Sequence, residues 1–365
     1  MDKIYNRIVL IGNGFDKALG LKTSYAEFIL DYLKKSIKYE LESLFEVNGL
    51  ISLNFQGELS SSNKSKYISK IESITTSTEL LKYFESIGKI SYKYPFFEGL
   101  INRCVKARWV DIEQYYYESL KKEFQIYKNP HKAKNLTNII ELNKCMDELT
   151  VALSNYVRNQ QIKISINSSL HAFFKNIGEP LTPNIASLVK NHDRQNAPSE
   201  ILFLNFNYTN TIQQLMSNVF SNGNNKHIHI HGTVNNEENP IIFGYGDDTG
   251  EEYRELEFEG ENELLRIVKS FQYPRTHNYH NLLNYLAETE FDVFVIGHSC
   301  GLSDRTMLKT IFEHRHCLAI QNFHYKGEPE DFEKRMEISR HFTNKVNMRE
   351  RVLPFDKWAT IPQKH

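Results

Sequence analysis

Cysteine is scarce in this chain. Its 365 residues include only Cys104, Cys145, Cys300 and Cys317, with no C-x-x-C pair, so neither a zinc ribbon nor a disulfide framework is encoded. No segment approaches the roughly 20 consecutive apolar residues of a membrane-spanning helix. The first residues offer no apolar leader with a small-residue cleavage site, so we expect a protein of the reducing cytoplasm, away from membranes. An excess of one charge is also missing: 44 Lys and Arg stand against 45 Asp and Glu. That balance leaves no global field to collect nucleic acid or an anionic membrane. There is no internal repeat and no low-complexity block. Aromatics are what the chain has in quantity, 20 Tyr and 23 Phe, and they read as core packing in a helix-rich protein rather than as a stacking platform.

The chain opens on a short apolar run, Arg7-Ile8-Val9-Leu10-Ile11, that empties into Gly12-Asn13-Gly14-Phe15-Asp16. Such a run suits a strand buried on both faces of a parallel sheet, and two glycines one residue apart let backbone approach a phosphate closely. The third glycine of a dinucleotide fingerprint would fall at Lys17 and is absent, so a structural turn competes with ligand contact. Ser24-Tyr25-Ala26-Glu27 has capping-box spacing ahead of Phe28, Ile29, Tyr32 and Leu33, which predicts a helix. Further strand-like runs lie at Glu200–Phe206, His227–His231, Pro240–Phe243, Phe291–Ile296 and Leu318–Phe323. Between the first run and the second, residues 36–197 carry helical periodicity in Leu41–Phe45, Ile68–Phe84 and Met146–Ile162. The sequence thus predicts an α/β core from residues 1–35 and 198–365, with a mostly parallel Rossmann-like sheet, and a helical insertion at 36–197. Polar stretches Gly57–Lys66 and Lys190–Pro198 read as its seams.

A parallel sheet binds ligands outside the carboxyl ends of its strands, and those ends are polar here. After Leu204 come Asn205-Phe206-Asn207-Tyr208-Thr209, with Asn205 and Asn207 on one side. They could cap the next helix, Thr211–Val219, or orient a ligand hydroxyl or water. His227, His229 and His231 share one face of a strand. Two rings roughly 6–7 Å apart at their bases could share a metal if a carboxylate such as Asp247 or Asp248 joined them. Ordinary satisfied histidines, or one catalytic His231 at the strand end before Gly232, are the alternatives. Ile241-Ile242-Phe243 runs into Gly244-Tyr245-Gly246-Asp247-Asp248, a turn or a second ligand loop. Gly297-His298-Ser299-Cys300-Gly301 matches the nucleophile-elbow pattern, yet only the short remainder with His314, His316 and His324 could complete a triad around Ser299. A helix start holding phosphate or ribose suits the same string. In Trp109-Val110-Asp111-Ile112-Glu113 we expect a structural Trp109 and a solvated Glu113; on a helix Asp111 and Glu113 would not share a face.

Together these strings are more specific than any one of them. Ile11-Gly12-Asn13-Gly14-Phe15-Asp16, Leu19-Gly20-Leu21-Lys22-Thr23-Ser24-Tyr25, Trp109-Val110-Asp111-Ile112-Glu113, Asn205-Phe206-Asn207-Tyr208-Thr209, His229-Ile230-His231-Gly232, Ile242-Phe243-Gly244-Tyr245-Gly246-Asp247 and Gly297-His298-Ser299-Cys300-Gly301-Leu302-Ser303-Asp304 resemble, in order, the bacteriophage abortive infection AbiH family. The same order is similar to a remote version of the SIR2-like NAD-binding group. That resemblance implies roles for Asn207 and His231 at the nicotinamide ribose, and ligand contacts from Gly12, Asn13, Gly14, Phe15, Asp16, Asn205, Tyr208, Gly232, Gly244, Gly297, Ser299 and Asp304. Deacetylases of that group carry a four-cysteine zinc module, which this chain lacks, so the resemblance points toward NAD hydrolysis without a metal. The implied protein is an antiphage NAD glycohydrolase, latent until a phage-derived trigger appears, with the insertion as lid, sensor or surface of a homo-oligomer. A nucleotide- or phage-sensing module without turnover, and a metal-dependent hydrolase or nuclease built on the histidine strand, are the competing functions.

Overall fold

In the computed structural model, residues 4–42, 49–55, 61–107, 111–131, 134–161, 164, 167–189, 196–219, 225–234, 236–246, 248 and 250–363 are described. Among these the strands are β1 (Asn6–Ile11), β2 (Ile51–Phe55), β3 (Gly88–Tyr92), β4 (Ile201–Asn205), β5 (Asn225–His229), β6 (Phe291–Ile296) and β7 (Cys317–Asn322). Five of them form one sheet in the order β5-β4-β1-β6-β7, with every neighbouring pair parallel. The mixed α/β class with a parallel sheet therefore stands. Central strands β1, β4 and β6 are buried at every position, which is why each carries consecutive apolar residues rather than an alternating pattern.

Alternation still decides which layer each side chain enters. Ile8, Leu10, Leu202, Leu204, Val293 and Val295 join one core with Leu282, Tyr285 and Leu286 of the helix Asn278–Glu288 and with Met307, Leu308, Ile311 and Phe312 of the helix Arg305–Phe312. Val9, Ile11, Phe203, Phe294 and Ile296 join the other, with Phe173 and Phe174 of the helix Ser168–Ile177 and Ile212 and Leu215 of the helix Thr211–Val219. The result is a sheet between two helical layers. Beyond β7 the chain returns along that strand's outer edge. Leu353 N–H donates to Ile320 O, His324 N–H to Ala359 O and Ile361 N–H to His324 O, each at 2.9 Å.

The chain divides into two compact units. The first comprises Met1–Lys22, Val157–Arg254 and Val268–His365 and holds the sheet; the second comprises Thr23–Tyr156 and Glu255–Ile267. In the second unit Ser24 and Glu27 form the expected capping box at the start of the helix Tyr25–Glu42: Ser24 N–H donates to Glu27 Oε2 at 3.0 Å, and Glu27 N–H donates to Ser24 Oγ at 3.3 Å. Asp111 lies outside the helix Ile112–Tyr127 and caps it, accepting from Gln114 N–H at 3.0 Å. Buried Asn143 ties the returning segment to the rest of the unit, accepting from Tyr116 Oη at 2.7 Å and donating to Glu263 O at 2.8 Å.

Three local expectations change. Glu113 is buried, not solvated, because it lies on the inward face of its helix with Ile112, Tyr116 and Tyr117. The stretch expected to be helical contains an antiparallel strand pair, β2 with β3; Ile51 and Leu53 point inward while Ser52 and Asn54 are exposed, a period-two pattern too short to stand out. Pro240–Phe243 is loop rather than strand. Proline brings no ladder donor, and Ile242 N–H is drawn instead to His231 O at 2.8 Å. Among the described residues no helix is long and apolar enough to cross a membrane.

Candidate functional site

The polar strings flagged in the sequence gather at the carboxyl ends of the central strands. Two of them interlock. Gly12 N–H donates to Ile296 O at 3.0 Å and Gly14 N–H to Gly297 O at 2.8 Å, so the turn after β1 lies backbone to backbone against the turn after β6. A Cβ on Gly12 would come within 2.3 Å of His298 Cα, and one on Gly297, whose φ is +68°, within 2.2 Å of Phe15 N. The glycine spacing thus has a structural cause: two turns share a space that side chains would fill. Beyond the turn the six-residue helix Asn13–Ala18 begins at once. It leaves Asn13 exposed and sends Phe15 into the core, 5.8 Å from the Phe174 ring centroid.

Asp16 follows on the same turn and is buried. Its Oδ2 accepts from Thr209 Oγ1 at 2.6 Å, and Thr211 Oγ1 donates to Thr209 Oγ1 at 3.2 Å. Its Oδ1 is enclosed and has no hydrogen-bond partner among the described residues. Burial raises the Asp16 carboxyl to about 6, against the opposing help of Thr209, Thr211 and Asn207. The asparagines after β4 hold this corner. Asn205 Oδ1 accepts from Asn207 N–H at 2.9 Å, and Asn207 Nδ2 donates to Gly12 O at 3.1 Å. His229 Nδ1 stands 3.2 Å from both Asn205 Nδ2 and Asn207 O.

A second polar cluster centres on Asp304, at the end of the turn that follows β6. Its Oδ1 accepts from Lys269 Nζ at 2.7 Å, and Lys269 is 0% exposed. His231 Nε2 lies 3.3 Å from the same oxygen, and His298 Nε2 lies 3.5 Å from Oδ2. The Lys269 cation, with His231 and His298 beside it, holds the Asp304 carboxyl well below the usual carboxylate range despite its burial. His298 Nδ1 accepts from Cys300 N–H at 3.0 Å, which turns Nε2 toward Asp304. His231 is 4% exposed, and its Nε2 has close neighbours but no hydrogen bond among the described residues. Burial first and Lys269 second push its pKa down to about 3, so the ring is neutral at physiological pH. Phe206 packs against both rings, at 5.1 Å from His231 and 4.2 Å from His298.

The family model described as "Bacteriophage abortive infection AbiH" matches residues 8–325, a span that takes in β4 to β7, all but the first two residues of β1, and both polar clusters. The chain belongs to the AbiH family. Membership gives it a role in phage abortive infection. Among curated proteins none matches it.

Other flagged residues of this AbiH chain serve the loops around the clusters. Tyr208 Oη donates to Ile242 O at 3.1 Å, and Tyr208 O accepts from Thr233 Oγ1 at 3.1 Å. Gly232 has φ +75° and lies so close to Pro240 O that a Cβ would meet it at 2.0 Å. Gly244 is buried just ahead of Tyr245, whose carbonyl accepts from Lys269 N–H at 2.9 Å. Ser299 is exposed, and its Oγ accepts from Gly301 N–H at 3.3 Å. No triad forms around it among the described residues. His316 O accepts from Phe291 N–H, and His314 stacks on Phe291, at the opposite end of β6, while His324 Nε2 lies 3.2 Å from Asp356 O. Besides Gly297, the positive φ of this string, +56°, falls on Cys300, whose thiol burial pushes up to about 12. His227 and His229 meet edge to face at 4.4 Å, and Asp248 accepts from Thr306 Oγ1 at 2.6 Å. Among the described residues no group of three His, Cys, Asp or Glu side chains is placed to hold a metal. Trp109, Val110 and Asp247 lie outside the described residues.

Sequence inspection misses Lys269, His298, Thr209 and Phe206 as members of these clusters. His298 and Phe206 are legible in retrospect, since both stand among the first residues after a strand's carboxyl end. Lys269 has no such signal; it opens a four-residue helix in a loop-rich stretch.

Proposed function

We propose that this AbiH-family chain is an abortive-infection effector that hydrolyses NAD at the nicotinamide–ribose bond, on a Rossmann-like core related to SIR2-like proteins. One observation carries the reading: the strand order. From β1 the chain adds β4 and β5 on one side, then returns to add β6 and β7 on the other. Sheets wound in this order bind dinucleotides outside the carboxyl ends, where the order reverses. That point lies between β1 and β6, and the segments that follow these strands, Gly12 to Asp16 and Gly297 to Asp304, carry the polar side chains described above.

In the proposed reaction water adds to the ribose carbon that bears nicotinamide. The carbon–nitrogen bond breaks, nicotinamide departs with the bonding pair, and the water's proton passes to solvent, leaving ADP-ribose. Positive charge develops on the ribose as the bond opens, as in glycoside hydrolysis, so orientation and nearby anions matter more than a strong base. His231, neutral and with an unbonded Nε2, suits an acceptor that aligns water or a ribose hydroxyl. Asn207 would place the same water or hydroxyl, and Asp304 and Ser299 would hold a hydroxyl on the other side. Gly12 and Gly14 already use their N–H groups and lie against the turn after β6; from this turn exposed Asn13 would stand beside the pyrophosphate. A constitutive activity would kill its own cell, so a trigger from infection is part of the proposal.

The test is nicotinamide release by the purified full chain, with and without lysate from infected cells and with a chelator control. Triggered wild type should release nicotinamide despite chelation, and His231→Ala and Asn207→Ala should each lose about 100-fold or more. Activity abolished by chelation would favour the metal-dependent hydrolase. Stabilisation by NAD with no product would favour a sensor.

A further inference from the structure

Two enclosed oxygens beside the first glycine turn have no protein partner. Asp16 Oδ1 is one, and Tyr325 Oη, on the segment that follows β7, is the other; neither finds a hydrogen bond among the described residues. They belong to one corner. Tyr325 Oη is the atom that a Cβ on Gly14 would strike at 2.5 Å and a Cβ on Gly297 at 2.8 Å, and the Asp16 charge acts on the tyrosine. A buried acceptor left unmade is costly, and native structures seldom keep one without a use. The rest of the Asp16 carboxylate is held firmly. Thr209 is bonded to Oδ2 and is itself bonded by Thr211, while Asn207 bridges to Gly12 O. A side chain fixed through one oxygen leaves the other without a donor among the described residues.

We infer that Asp16 and Tyr325 form a subsite for the vicinal hydroxyls of a ribose, with Asp16 Oδ1 accepting from one hydroxyl and Tyr325 Oη bonding the other. An ionised carboxylate is acceptor-only, whereas a phenol can donate or accept, so the pair suits a diol and repels a phosphate. Thr209 is a positioning residue: its hydroxyl holds Oδ2 and so fixes the orientation of the enclosed Oδ1. The inference rests on the nucleotide reading of the same site, but it concerns recognition, not bond cleavage.

Calorimetry with the purified full chain tests it, using ADP-ribose, ADP and 2′,3′-dideoxy-ADP, beside an independent nicotinamide-release assay. Wild type should bind ADP-ribose about tenfold or more tightly than Asp16→Asn does, and about fivefold more tightly than Tyr325→Phe does. Thr209→Val should weaken binding in the same direction, and Thr209→Ser should restore it. If the adenosine ribose is the one held, dideoxy-ADP will show the loss relative to ADP; if ADP and dideoxy-ADP bind alike and only ADP-ribose responds to Asp16→Asn, the terminal ribose is held. Equal binding by wild type and a cooperatively melting Asp16→Asn, or no binding of any probe by wild type, overturns the subsite. Nicotinamide release without any effect of Asp16→Asn would sink this inference and leave the hydrolase reading standing. The reverse result would sink the hydrolase and leave the subsite.

Discussion

Two buried ion pairs set the behaviour of individual residues, and they ask for different experiments. Arg7 and Asp292 meet through two bonds of 2.8 Å with both side chains inaccessible, and the guanidinium also donates to Ile177 O and Glu179 O and lies 3.9 Å from the Phe294 ring centroid. With every donor near a partner, this pair is structural. Asp292→Ala should cost about 3–5 kcal/mol in denaturant unfolding, because it strands a buried cation. Lys269 and Asp304 differ, since two imidazoles share the carboxylate. In Lys269→Met the cation that depresses His231 is gone while Asp304 remains, so the His231 pKa should climb from about 3. An NMR titration of the ring would read this directly, and an unmoved pKa would mean that burial alone sets it.

At the scale of elements, the decisive device is the pair of turns that follow β1 and β6. Gly297→Ala combines a left-handed backbone with a Cβ 2.2 Å from Phe15 N, whereas Gly250→Ala meets nothing within 4 Å. We expect the first to lose at least about 3 kcal/mol and the second to stay within roughly 0.5 kcal/mol, as judged by thermal melting. The strings at these turns were legible because glycine after an apolar run is rare punctuation. Their use was not legible. Whether a glycine makes room for a phosphate or for a neighbouring turn depends on what lies opposite, and Gly297 is almost the whole chain away from Gly12 in sequence. The parallel strands were legible for the same reason that their helices were: each carries a pattern long enough to repeat. The β2 and β3 pair carried too few alternations, and Glu113 on its tyrosine-rich helix looked like a surface residue because charge alone suggested water. Lys269 shows the limit most clearly, since its importance comes wholly from Asp304, and no spacing rule connects them.

Acid sensitivity belongs to the whole first unit. Burial lowers His227 and His231 to about 3 and His229 and His341 to about 4. A ring depressed in the folded state gives stability that is complete above its unfolded pKa of 6.5 and is lost as pH falls toward the folded value. At pH 5 each fully buried ring has lost about 2 kcal/mol, less for half-buried His227. Asp16 has the opposite sign: raised to about 6, it favours the fold below its unfolded pKa of 3.8 and loses that help as pH rises through 6. One carboxyl returns about 1–2 kcal/mol at pH 5 and is outweighed. Circular dichroism should therefore show the first unit unfolding between about pH 6 and 4, with a shallower slope in His229→Gln.

The segment Val352–Ile361 that runs along β7 has a consequence for self-association. A parallel sheet with two bare edges can add strands from other copies without limit, and bare edges are where fibres begin. Here the carbonyl of Ile320 and both backbone groups of His324 are taken by the chain's own tail. Growth on that side is blocked by covalent connection, not by charge. The other edge strand is β5, five residues long with exposed Lys226 in its second position, and a short edge bearing a lysine is a poor template for the next molecule. Deleting the tail would bare the β7 margin, leaving the sheet able to add strands from that side.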